Sequence, residues 1–246
     1  MPPTQFHERT WELLVEAIKK ELDRLANNLP NLAEHRRNVV PCGSARLSAS
    51  TDPVSSGWKS PDSQFQYKGV PGSTFVIEIA CSQHPNDLRN KIKDYFMLLP
   101  SVCTVLAIDI DCKESVAVRQ DPQYKHAAKV LLWAREKVQD NKQTIRCYKN
   151  VIFRPGGSGH VPPGELTIPF KFFLPQVKRD NTAAQDEELI FPYPSLAAWI
   201  EEAENDDRVQ STAPLPPPKR QRYDFIYEDG TVEEEVYEPK VQTRKC

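Results

Sequence analysis

The hydrophobic positions of this chain divide it into stretches of distinct period. Over residues 6–29, Trp11, Leu14, Val15, Ile18, Leu22 and Leu25 recur three and four apart, while Glu12, Glu16, Lys19, Lys20 and Asp23 fill the other faces. That is the pattern of an amphipathic helix, and Pro30 stops it. FQYK at 65–68 and STFVIEIA at 73–80 are rich in the residues that strands favour, and turn-forming GVPG separates them. From Asn86 the period lengthens again: Leu88, Ile92, Tyr95, Phe96 and Leu99 make one stripe, Asn86 or Asp87 can cap it, and Pro100 closes it. VCTVLAIDI at 102–110 is apolar almost throughout, which suits a strand covered on both faces. Strand, helix, strand in that order predicts a crossover unit.

Beyond residue 111 the pattern is less even. A short strand is expected at 115–120. AAKVLLWAREKV fits two readings: Val130, Leu131 and Ala134 line a helix, whereas Val130, Leu132 and Ala134 line a strand. TIRCYKNVIF at 144–153 is strand-like, and GELTIPFKFFLP at 164–175 reads as a final strand entering a short apolar segment. The expected organisation is therefore an N-terminal helix (1–30) packed on the core, an irregular connection (31–60) and an α/β core (61–175). A polar connection with one short helix (176–204) and a disordered tail (205–246) follow. In the tail, QSTAPLPPPKRQR disfavours regular structure, and YDFIYEDGTVEEEVYEP alternates acidic with apolar residues that a protein partner could engage.

Composition narrows the classes of function. A net charge of -2 gives no global attraction to DNA, RNA or an anionic membrane, so nucleic-acid binding needs a local basic surface. His35, Arg36, Arg37, Arg89, Lys91 and Lys93 are the candidates for one, and KRQR at 219–222 is a weak import-like segment. No apolar run approaches the roughly 20 residues that span a bilayer, and the first residues lack the order of a secretory signal. The expectation is a soluble intracellular protein, cytoplasmic or nuclear, with no membrane partner. Six dispersed cysteines and five scattered histidines outline neither a disulfide framework nor a zinc knuckle. Cys81 reads as a small buried hydrophobe. GGSG at 156–159 lacks the residues of a phosphate loop.

Two acidic residues stand out. Asp62 lies in SPDSQFQY just before the first predicted core strand, and Glu78 interrupts the apolar FVIEIA. Paired strands bring such positions to one sheet edge, where two hard carboxylates suit Mg²⁺. This arrangement resembles the PD-(D/E)xK, restriction-endonuclease-like superfamily over about residues 60–111. The resemblance implies a mixed central sheet flanked by helices and a divalent metal, Mg²⁺ with Mn²⁺ able to substitute, that hydrolyses DNA or RNA phosphodiesters. Pro61-Asp62 then supplies the first carboxylate and Glu78 the second.

The Lys usually found two positions after the second acid is Ala80 here. Asp87, Lys91 and Tyr95 follow one helical turn apart, a pattern similar to the Uma2-like branch of that superfamily, so the resemblance assigns Lys91 as the replacement electrostatic group. Gln83 is a further polar candidate near the metal. An N-terminal helix often adds a ligand in this superfamily, which makes Glu12 or Glu16 a metal candidate, with Glu34 also in range. The competing expectation, motivated by Ala80 and by the tail, is a catalytically inactive nuclease-like module that binds a partner.

Overall fold

A computed structural model describes residues 5–44, 60–81, 85–112, 124–136, 143–179, 187–212, 221–226 and 232–237. Helix α1 spans Gln5–Asn28 and buries Phe6, Thr10, Leu14, Ile18, Leu22 and Leu25 along one stripe. Pro30 does not lead into irregular chain as expected. It opens a second helix, α2 (Pro30–Asn38), where a proline costs no hydrogen bond because the first N–H groups of a helix have no internal acceptor. The short strand β1 (Val39–Pro41) follows directly. The expectation of an irregular connection thus fails for residues 31–41, and most of its remainder lies outside the described residues.

The centre of the molecule is a six-stranded sheet in the order β1-β2-β3-β4-β5-β6. Its strands are β1, β2 (Ser63–Tyr67), β3 (Ser73–Cys81), β4 (Thr104–Ile110), β5 (Ala128–Arg135) and β6 (Ile145–Arg154). Only β3 and β4 are parallel, joined across α3 (Pro85–Leu98), and every other neighbouring pair is antiparallel. This is a mixed α/β sheet flanked by helices. AAKVLLWAREKV resolves as strand: Val130, Leu132 and Ala134 are buried while Lys129, Leu131 and Trp133 are only partly so, a two-residue period. The strand expected at 115–120 lies outside the described residues.

Alternation along β3 divides the core in two. Phe75, Ile77 and Ile79 join Leu106 and Ile108 of β4 on the face covered by α1. Val76 and Ala80 join Val105 and Ala107 on the face covered by α3, through Leu88, Ile92, Tyr95, Phe96 and Leu99. Glu78 lies between Val76 and Ala80, and so belongs to the α3 face. A continuous apolar run is what a strand covered on both sides requires. One carboxylate in such a run needs local partners.

The remaining elements close the α1 face. β7 (Glu165–Pro169) runs into a 3₁₀ turn, Phe170–Phe173, whose Phe170, Phe172 and Phe173 are buried. A short helix α4 (Gln176–Arg179), β8 (Glu188–Pro192) paired antiparallel with β7, and α5 (Tyr193–Thr212) complete the set. α5 is held to the sheet by a buried bidentate pair, Arg154 Nη1 to Glu204 Oε1 at 2.6 Å and Arg154 Nη2 to Glu204 Oε2 at 2.7 Å. Glu204 Oε1 also accepts the backbone N–H of His126. Among the described residues no helix is long and apolar enough to cross a membrane.

Residues 208–246 form a separate unit. Within the stretch expected to be a disordered tail, β9 (Gln221–Ile226) and β10 (Val232–Tyr237) pair antiparallel from Val232↔Ile226 to Tyr237↔Gln221. Alternation of polar residues with Tyr223 and Phe225 is the sequence signal for β9.

Candidate carboxylate site at the ends of β2 and β3

Pairing of β2 with β3 sets Ser63 opposite Ile77, and one more step of that register brings Asp62 level with Glu78. The sixteen residues between them are taken up by two strands and their turn. Asp62 is anchored by the backbone of β3: its Oδ2 accepts the Ile79 N–H at 2.6 Å. Its Oδ1 lies 3.2 Å from His7 Nε2, which is also 2.9 Å from the Ile79 carbonyl oxygen. His7 extends the inner stripe of α1, since 7, 11, 14 and 18 lie on one side of a helix.

Glu78 is 1% exposed. Its Oε2 accepts the Tyr95 hydroxyl at 2.9 Å, and its Oε1 is ion-paired with Lys91 Nζ. Lys91 and Tyr95 are four apart on α3, so a single helix face delivers both partners. Lys91 itself is only partly buried, with 26% of its side chain exposed.

Electrostatics follow from this geometry. Burial pushes the Glu78 carboxyl up to about 7, and the neighbouring Asp62 charge adds to the rise; Lys91 and Tyr95 pull the other way without cancelling it. The Tyr95 phenol is raised by its own burial and by the charge of Glu78. Burial opposes the charged form of His7, yet the hydrogen bond and charge of Asp62, the Ile79 carbonyl and Glu78 together lift its pKa above the ordinary 6.5. A histidine whose pKa is raised and a glutamate whose carboxyl is pushed up to about 7 therefore flank Asp62.

The structure brings Asp62, Glu78 and Lys91 together, with His7 and Tyr95. It does not bring Glu12 or Glu16 to them. Glu12 is exposed beside Arg9 at 3.6 Å, and Glu16 is exposed beside Lys19 at 3.1 Å and Lys20 at 3.8 Å. Both sit on outer faces of α1, because an amphipathic helix turns its charged stripe away from the sheet. The residue that α1 delivers is His7. Glu34 is exposed on α2, Asp87 is exposed in the first turn of α3, and Gln83 lies outside the described residues. Ala80 is fully buried in the apolar layer against α3.

Each of the four carboxylate oxygens of Asp62 and Glu78 already has a protein partner. Among the described residues, no group of three or more His, Cys, Asp and Glu is arranged to hold a metal ion. Two carboxylates are nevertheless a sufficient protein share for Mg²⁺, which is commonly held by one or two carboxylates with water completing its octahedron. Cysteine ligands for a softer metal are not part of this set. Comparison with protein-family models, with curated proteins and with solved structures finds no match for this chain.

Proposed function

We propose that this chain is a metal-dependent phosphodiester hydrolase acting on nucleic acid, with a restriction-endonuclease-like core. The observation that carries the proposal is the convergence of Asp62, just before β2, with Glu78 of β3 and Lys91 of α3. Their order, and the three antiparallel strands followed by a helical crossover to a parallel strand, support it.

Asp62 and Glu78 would hold Mg²⁺ or Mn²⁺, which supplies Lewis acidity at the phosphate and a more acidic bound water. The chain's own residues do the rest. Ile79 N–H fixes the Asp62 carboxylate. Lys91 offsets the charge of Glu78, and with its side chain only partly buried it can also meet a phosphate oxygen, the task that Ala80 cannot perform. His7 can hold or release a proton beside Asp62. Tyr95 orients the second oxygen of Glu78.

Purified protein is expected to cleave at least one of single- or double-stranded DNA or RNA when Mg²⁺ or Mn²⁺ is added. Asp62→Ala and Glu78→Ala should each abolish cleavage while the protein stays folded by circular dichroism. Cleavage that persists at the wild-type rate in either variant removes the assignment.

A second reading rests on a specific observation. The full internal pairing of both carboxylates, with Ala80 where the strand lysine usually stands, also suits a catalytically inactive nuclease-like module. On that reading Mg²⁺ titration calorimetry shows no uptake, and Glu78→Gln leaves all binding functions unchanged.

A further inference from the structure

The strand β6 ends the six-stranded sheet, and among the described residues it pairs only with β5. It is ten residues long, with no proline and no acidic residue in IRCYKNVIFR. Exposed sheet edges are usually kept short, broken by proline or bulges, or guarded by charge, because free N–H and C=O groups invite another strand. Register shifts opposite Ala128/Lys129 and Leu132/Trp133 interrupt β6 at Phe153 and Tyr148, and charge guards the regular stretches on either side of Tyr148. Ile145, Tyr148 and Ile152 are 36%, 43% and 57% exposed, so apolar side chains stand open along the same edge.

The field at the first half of β6 is positive. Arg146 lies over the Tyr148 ring at 5.6 Å, Tyr148 packs on Phe172 at 4.9 Å, and Phe172 lies under Arg179 at 5.3 Å. Arg179 donates to the Arg135 carbonyl, and both guanidinium groups are buried. An arginine keeps its charge even when buried. Lys149 adds a further cation, resting over Tyr193. Facing these groups is the half-buried carboxylate of Glu136, 3.3 Å from Arg146 and accepting the Tyr148 hydroxyl.

From this arrangement we propose that β6 is a docking edge for an extended protein segment of alternating acidic and apolar residues, which adds to the sheet as a seventh strand. Main-chain hydrogen bonds to the open edge provide affinity. Carboxylates meeting Arg146 and Lys149 on one face, and aliphatic side chains covering Ile145 and Ile152 on the other, provide selectivity. Pairing of β6 with a second copy is disfavoured, since it crowds Arg146 and Lys149 of one edge against the same cations of the other. This docking is separate from the carboxylate site at Asp62 and Glu78.

The test uses the full chain and a fluorescein-labelled probe of alternating valine and glutamate, followed by anisotropy and by amide exchange at 145–152. Saturable binding is expected, weakened at least tenfold in the double variant Arg146→Glu, Lys149→Glu and by raising salt from 0.05 to 0.5 M, with new protection of β6 amides. A lysine-for-glutamate probe should bind the double variant better than the wild type. Ile152→Lys, a milder change at an exposed position, guards against misfolding of the double variant and should weaken the apolar half of the contact alone. Absence of saturable binding, binding indifferent to these substitutions, or a dimer joined through β6 would each overturn the proposal.

Discussion

Replacing Glu78 with glutamine keeps the shape of the side chain and its ability to accept from Tyr95, while removing the ionisation. In the folded protein the carboxyl titrates at about 7 rather than the usual 4.5. Over that interval the folded chain holds a proton that the unfolded chain has lost, so the stability of the wild type must fall as pH rises. Each unit of difference corresponds to about 1.4 kcal/mol. Between pH 5 and pH 8 the loss from this one group is then about 2–3 kcal/mol. Glu78→Gln escapes it. Urea denaturation of both proteins at pH 5, 6, 7 and 8 should show the variant gaining on the wild type by that amount across the range. Parallel curves would mean that Glu78 titrates alike in both states. A gap that opens in the opposite direction would mean that Lys91 prevails over burial and depresses the carboxyl, which refutes the electrostatic ordering of the site.

Three more outcomes follow from particular contacts. His7→Ala should lose most stability in acid: the raised histidine pKa contributes fully below 6.5 and is lost as pH climbs through the folded value, so the difference in denaturation midpoint should shrink from pH 6 to pH 8. Arg154→Leu strands the buried carboxylate of Glu204 and should cost about 3–5 kcal/mol in chemical denaturation, whereas the double change Arg154→Leu, Glu204→Leu should recover much of it. Gly164→Ala should destabilise by about 1–3 kcal/mol, since Gly164 has φ +139° and an added Cβ would meet Tyr193 Cε2 at 2.7 Å; a thermal midpoint unchanged from wild type would contradict this.

How legible the site was depended on whether a signal was local. The carboxylate interrupting FVIEIA and the D-x-x-x-K-x-x-x-Y spacing are both visible in a linear string, because strand and helix periods fix which face a residue occupies. His7 was harder to find. It sits on the inner stripe of α1 with Trp11, Leu14 and Ile18, but a histidine on an apolar face says nothing of the carboxylate it will meet across 55 positions of chain. Glu12 and Glu16 carry suitable chemistry, but the same period turns them outward.

The sequence by itself determined the helices at Gln5–Asn28 and Pro85–Leu98, the strands β2, β3, β4 and β6, and the crossover between β3 and β4. Hydrophobic period, turn residues and proline act over a few positions, and that range covers each of these elements. Tertiary structure alone decided that AAKVLLWAREKV is the strand β5, because either period suits its residues and only the open edges of β4 and β6 select one. It also decided that Glu78 is buried against α3 with Lys91 and Tyr95, that Arg154 clasps Glu204, and that His7 stands beside Asp62. Those are meetings between distant segments, and the free energy that selects them arises only once the core has excluded water.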